Sequence, residues 1–279
     1  MTLMTVMIEM PGLIGSTAGL ERVVTTNRGF PDEGLGDLFL FEETAGASIA
    51  NAVSGRSSGV FEKLSEGDYG GTYAWLGGAG GLQLQGTQAV TLPAFDPTTP
   101  WSLVYLGGVI GSLSGATEAI TALISFRDRV AADIRGPLLS ARAFQGGGAL
   151  GYYQTRAWQG AADGVTTNLV PTSGGVVNQR RVAVLSYDGV ANVTASVYNK
   201  EGVLVSTATV SATDAGMTTS GSVVKSLAQP TIGISNTVYD GGIQQVEGFL
   251  RYSRVLAAGD ITRICARAAA IGQSRGRAW

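Results

Sequence analysis

The chain has 279 residues, a formal net charge of −2, a charged fraction of 14% and 41 glycines. Such a length holds one large β domain or two smaller ones, and so small a net charge gives no bulk attraction to nucleic acid or to an anionic membrane. The absence of histidine removes Ser-His-Asp and Cys-His nucleophiles, histidine metal ligands and histidine acid–base chemistry.

Taken in order, residues 1–35 read as an N-terminal arm. Residues 1–10 are apolar, but they lack a basic n-region and an Ala-x-Ala cleavage site, and Glu9 interrupts the run, so they do not read as a signal peptide. No uninterrupted apolar stretch reaches the roughly 18 residues that a membrane helix needs. Glycines and a proline among residues 11–19, then Asn27-Arg28-Gly29-Phe30-Pro31-Asp32, approach the first strand through turns. An apolar arm of this kind packs against a neighbour, adds a local strand, or stays loose.

Residues 38–41 are continuously apolar, as expected of a strand covered on both faces. Gly46, Asn51, Gly55 and Gly59 mark a loop-rich stretch. Leu82 and Leu84 alternate with Gln83 and Gln85, which sends leucines inward and glutamines outward. The run 89–92 closes at Pro93. Strands at 101–106 and 122–126 flank a segment rich in Gly, Ser and Ala, 107–118, that reads as a flexible loop. Residues 130–145 and 149–159 read as a strand pair joined by Gln145-Gly146-Gly147-Gly148, with a turn through 160–180 behind it.

Further on, 182–187 and 193–198 form a hairpin around Asp188-Gly189. A turn at Asn199-Lys200-Glu201-Gly202 precedes a strand at 203–210, a polar loop at 211–228, and strands at 230–235 and 244–253. Last, Asp260 caps a helix that carries Ile261, Ile264, Cys265, Ala268 and Ile271 on one face and Arg263 and Arg267 on the other, with Gly272 as its end. Cys265, the one cysteine, excludes an intrachain disulfide and reads as a small buried hydrophobe. Arg263, Arg267, Arg275 and Arg277 read as a solvated helix face and frayed tail, with a phosphate- or carboxylate-binding tail as the alternative.

Tyr152, Tyr153 and Trp158 form an aromatic cluster on the second strand of the 130–159 pair. Sugar rings stack on such planes, and Gln154, Arg156 and Gln159 supply polar groups for a glycan site. The structural alternative packs Tyr153 and Trp158 into the core or a subunit interface. Trp75, in Gly70-Gly71-Thr72-Tyr73-Ala74-Trp75, poses the same choice.

The order of these phrases resembles the laminin-G-like branch of the concanavalin A-like lectin/glucanase superfamily. An opening strand leads to the Gly-rich turn Ser54-Gly55-Arg56-Ser57-Ser58-Gly59-Val60, then to a strand-plus-Gly phrase at 81–86 and a proline-aromatic lead-in at Pro100-Trp101. A central hairpin with Tyr187-Asp188-Gly189 follows, and the chain closes on Tyr252-Ser253-Arg254-Val255-Leu256 and a helix. The similarity covers roughly residues 36–272. It implies an all-β, two-sheet antiparallel jelly-roll β-sandwich over residues 36–279, with an N-terminal arm and a short C-terminal helix.

Members of that superfamily with calcium sites place Asp and Asn ligands on rim loops, where Asp188, Asn199 and Asp240 fall by location. Those residues also serve as plain turn formers, and no metal or cofactor is assigned. The glucanase branch carries a Glu-x-Asp-x-Glu strand, which this sequence lacks. Glu42 and Glu43 are adjacent and would face opposite ways on a strand, and Glu247 stands alone, so no catalytic residue is assigned.

The resemblance, as found in bacteriophage virion proteins, implies a non-enzymatic structural protein of a virus particle: a head decoration, a fibre or a tail-associated component. Such a protein is made in the host cytoplasm and assembles as a homo-oligomer, a trimer being natural. It contacts other virion proteins through the N-terminal arm and a host-surface glycan through the aromatic site, without nucleic acid or membrane insertion. The alternatives are a free-standing glycan-binding adhesin and a polysaccharide-cleaving enzyme.

Overall fold

Alternation of apolar and polar residues builds two antiparallel sheets, and a second apolar stripe on one of them recruits the helix. The computed structural model describes residues 28–279 apart from 64–71, 78–79, 86–87, 113–117, 127–135, 145–151, 159–165, 170–175, 216, 218–228, 234–241 and 278. Among the described residues the strands are β1 (Leu35–Phe39), β2 (Ser48–Ile49), β3 (Gly59–Lys63), β4 (Thr72–Trp75), β5 (Leu82–Gln85), β6 (Gln88–Thr91), β7 (Trp101–Ser112) and β8 (Glu118–Phe126). They continue as β9 (Gly136–Phe144), β10 (Tyr152–Trp158), β11 (Thr166–Leu169), β12 (Arg181–Tyr187), β13 (Asn192–Tyr198), β14 (Leu204–Ser211), β15 (Pro230–Ile232) and β16 (Gly242–Tyr252), followed by helix α1 (Ala258–Ser274). No described helix is long and apolar enough to cross a membrane.

One sheet runs β14-β13-β12-β7-β16-β5-β4, with β1 also on β16; the other runs β11-β10-β9-β8-β15-β6-β3-β2. The inner faces meet in a core that includes Phe39, Leu82, Leu84, Val90, Leu103, Ile124, Leu139, Leu185 and Phe249. Fully burying one such side chain contributes about 1.5–3 kcal/mol. Pro100 places Trp101 at the start of β7, where its ring meets Phe95, Phe126 and Tyr187 at centroid distances of 5.9, 5.4 and 6.2 Å. Its indole N–H, buried with it, donates to the Pro97 carbonyl at 3.3 Å.

The outer face of the first sheet carries a second apolar layer. Leu38, Leu40, Val104, Leu106, Val182, Val184 and Leu250 pack against Ile261, Ile264, Cys265, Ala268 and Ile271 of α1. Strand β1 therefore is covered on both sides as its sequence predicts: Leu38 faces the helix layer and Phe39 the inter-sheet core. Phe30 is fully buried in the helix layer and Leu35 opens β1, so these two residues of the expected arm belong to the sandwich. The arm's residues 1–27 lie outside the described residues.

Several boundaries differ from expectation, each for a tertiary reason. The first strand ends at Phe39 because Phe41 turns into the left-handed region at φ 50°. Asp260 is not the helix cap: Ala257 is, and the Asp260 carboxylate reaches back to the Ala257 N–H at 3.2 Å. Gly272 does not end α1, which runs on to Ser274; an added Cβ at Gly272 would lie 2.0 Å from the Trp279 ring, so glycine lets that indole close onto the helix. Residues 107–112, read as loop, extend β7 because they pair with β16. Strands β2, β3, β4 and β11 form where the sequence reading assigns no strand, with β2, β4 and β11 at the ends of their sheets.

Candidate functional site

The strand pair carrying the expected glycan residues forms: β10 lies antiparallel between β9 and β11. Tyr153 is 2% exposed in the inter-sheet core, so its ring cannot stack on a sugar; it takes the structural of the two roles left open by the sequence. Burial pushes its phenol up to about 12, with Arg181 opposing the shift. Gln154 is buried and donates to Asn168 Oδ1 at 2.9 Å. Tyr152, Arg156 and Trp158 occupy β10 opposite Arg142, Leu138 and Gly136 of β9, and Gln159 lies outside the described residues.

An exposed aromatic platform forms elsewhere, at the open edge of the sandwich where β3 of one sheet meets β4 of the other. Tyr73 and Trp75 stand opposite the inward-facing Leu84 and Leu82, so both project to the inner side of the edge strand. From the facing sheet Phe61 stacks on Tyr73 with centroids 3.8 Å apart and planes 10° from parallel. Trp75 meets Phe61 edge-on at 5.5 Å, and its Nε1–H donates to the Gly46 carbonyl at 3.3 Å. Phe61 and Trp75 back onto the core, whereas Tyr73 is 39% exposed. Phe61 covers one face of the tyrosine, so the exposure belongs to the other face and the phenol edge. The stacked and edge-on contacts, with the Trp75 hydrogen bond, tie the three rings to one another. Trp75 was singled out by sequence; Tyr73 and Phe61 were missed, although Tyr73-Ala74-Trp75 shows the period of two.

Two of the rim residues considered for calcium, Asp188 and Asn199, act as turn formers. Asp188 Oδ1 accepts the N–H groups of Val190, Ala191 and Asn192 at 2.8, 2.7 and 3.0 Å, and these bonds, that of Asn192 foremost, hold its carboxyl well below the usual range. Asn199 Oδ1 accepts the N–H groups of Glu201 and Val203. Asp240 lies outside the described residues, among which no group of three His, Cys, Asp or Glu is placed to hold a metal ion.

Carboxylates are engaged in the same way. Glu42 pairs with Arg28, Glu43 accepts the Ala50 N–H, and buried Asp37 pairs with Arg251 and accepts from Asn51. Glu247, fully buried on β16, binds three guanidiniums: Arg180 Nε at 3.3 Å, Arg275 Nη1 at 2.8 Å, and Arg277 Nη1. Arg275 also donates to the Leu40 carbonyl and Arg277 to the Gly80 carbonyl. The C-terminal arginines therefore divide: Arg263 is exposed, as expected, while Arg275 and Arg277 are an internal anchor. Both oxygens of the Glu247 carboxylate are thus taken up by guanidinium donors, Oε1 by Arg180 and Oε2 by Arg275 and Arg277.

No family model matches the chain, and no curated protein matches it. Solved structures do. The binding domain of botulinum neurotoxin DC, in complex with rat synaptotagmin II, superposes with TM-score 0.53 at 9% identity over 84% of this chain and 52% of its own. The botulinum neurotoxin type G receptor-binding domain gives 0.51 at 11% identity, covering 84% and 51%. A Trypanosoma rangeli sialidase in complex with 2,3-difluorosialic acid, a covalent intermediate, gives 0.52 at 14% identity, covering 86% and 34%. The chain thus spans about half the length of the toxin structures and a third of the sialidase. Likeness at these identities establishes the fold, and with the strand order above it makes this protein a two-sheet antiparallel β-sandwich with a C-terminal helix.

Proposed function

We propose that the chain is a non-enzymatic, saccharide-binding β-sandwich that serves as a structural component of a virus particle, assembled in several copies. The observation that carries the binding reading is the pre-stacked platform of Tyr73, Phe61 and Trp75, whose outer aromatic face looks to solvent. Sugar C–H faces and aromatic planes are complementary apolar surfaces, and a ring already held in place loses little freedom on binding. The fold shared with toxin receptor-binding domains supports a binding role. Engagement of Glu42, Glu43, Asp37 and Glu247 argues against carboxylate-based hydrolysis.

Assembly draws support from β14. It is the end strand of its sheet, and Leu204–Ser211 contains neither a charge nor a proline, the usual guards of an exposed edge. Val203 and Leu204, at its start, are 59% and 45% exposed. A strand edge without charge or proline suits pairing with a second copy, and the arm is assigned to contacts with other virion proteins.

Two experiments test the reading. A glycan array and a polysaccharide turnover panel should give Tyr73-dependent binding and no cleavage; cleavage, or no binding at all, would refute it. The solution mass of the full chain and of a version lacking residues 1–27 tests assembly. Oligomers that dissociate on truncation uphold the virion reading, whereas monomers in both cases favour a free-standing adhesin.

A further inference from the structure

Three guanidiniums around one buried carboxylate leave a local surplus of positive charge. Among the described residues, Glu247 is the only carboxylate within ion-pair distance of Arg180, Arg275 and Arg277. Other donors of these side chains go to neutral acceptors: Arg180 to Gln245 Oε1, Arg275 to the Leu40 and Glu247 carbonyls, Arg277 to the Gly80 carbonyl. Such partners satisfy hydrogen bonds but leave the charge standing. The three side chains are between 5% and 13% exposed, so water screens that charge weakly.

Arg277 also lines a groove of about 530 Å³ at the C-terminal end of α1. Lys200, from the turn after β13, stands on the same groove with Gln273 of α1 and Trp279. Among the described residues the ion-pair partner of Lys200 is half-exposed Glu201, at 3.9 Å, a contact too long and too wet to neutralise it. Two cations, one primary amide and one indole therefore share a concave surface beside an under-compensated arginine cluster.

The geometry points to an anion-binding groove that takes the carboxylate or sulfate of an acidic saccharide. An anion entering it meets Arg277 and Lys200 next to a low-dielectric wall, where their attraction exceeds that of surface charges. Arg277 contributes charge from a guanidinium whose Nη atoms already hold Glu247 and the Gly80 carbonyl, Lys200 and Gln273 supply donors, and Trp279 offers an aromatic wall for the attached ring. The saccharide half of this assignment rests on the function proposed above; the anion half rests on the arginine surplus alone.

The test titrates the full chain with sodium sulfate, with trigalacturonic acid and with a neutral trisaccharide, by calorimetry at matched ionic strength. Lys200→Ala and Gln273→Ala are the variants, because both side chains lie outside the core and folding survives their loss. The expected result is trigalacturonate binding that weakens about tenfold in Lys200→Ala, equal to about 1.4 kcal/mol, and that falls with added salt. Sulfate binding lost in Lys200→Ala, with no saccharide bound by any route, upholds the anion groove and overturns the saccharide reading. Acidic saccharide binding that is lost in Tyr73→Ala but unchanged in both groove variants overturns the groove and leaves the platform standing. Absence of both sulfate and trigalacturonate binding overturns the proposal outright.

Discussion

Replacing Glu247 by glutamine tests how the C-terminal segment is anchored. The change keeps the side-chain shape and removes the one carboxylate charge that, among the described residues, faces Arg180, Arg275 and Arg277. It also weakens the reason for Arg275 to stay at the Leu40 carbonyl and for Arg277 to stay at the Gly80 carbonyl. Removing one partner of a buried ion pair costs about 3–5 kcal/mol, because the charge left behind is uncompensated. With roughly 2–4 °C of Tm per kcal/mol in domains approaching this size, the drop is on the order of 10 °C. Urea unfolding followed by tyrosine and tryptophan fluorescence measures the loss, and a double-mutant cycle with Arg275→Gln isolates the pair. Trypsin gives an independent readout, since Arg275 and Arg277 should resist cleavage in the native protein and yield to it in the variant. A loss below about 1 kcal/mol, the range of a surface ion pair, together with unchanged trypsin resistance, would refute the anchor.

Other predictions follow from single sites. Asp188 has a depressed carboxyl pKa in the folded chain, so its contribution is present above the unfolded value of about 3.9 and is lost as pH falls through the folded value. Asp188→Asn should accordingly be less stable than wild type at neutral pH and lose less stability on acidification, as measured by urea midpoints across that range. Cys265 is fully buried and burial pushes its thiol up to about 12, so Ellman's reagent at pH 8 should label it only after unfolding. Gly107 sits at φ 155°, where an added Cβ would lie 2.2 Å from the Gln245 carbonyl, so Gly107→Ala should cost about 2–3 kcal/mol in urea unfolding.

What the sequence made legible was local. The alternation in Leu82-Gln83-Leu84-Gln85 gave inward leucines, the Asp188-Gly189 pair gave a hairpin, and the spacing from Ile261 to Ile271 gave the buried face of α1. Each depends on neighbours a few residues away. Residues 107–112 read as loop because glycine and serine weaken strand propensity, yet pairing with β16 overrides that preference. The four missed strands hold two to five residues each, too short for periodicity to show. Tyr153 reads equally as a sugar-stacking or a core aromatic because nothing in its own segment says which face of β10 is covered. Glu247 meets Arg275 and Arg277, and Phe61 meets Tyr73, only through strand order, which no single segment encodes.

The central claim is that the edge platform binds a saccharide through the exposed face of Tyr73. Calorimetric titration of the strongest glycan-array ligand into wild type and Tyr73→Ala tests it most directly, with equal unfolding midpoints first established for the two proteins. The account predicts at least a tenfold rise in Kd, about 1.4 kcal/mol, when the tyrosine ring is removed. An unchanged Kd in a folded Tyr73→Ala protein would contradict it and remove the platform from the binding site.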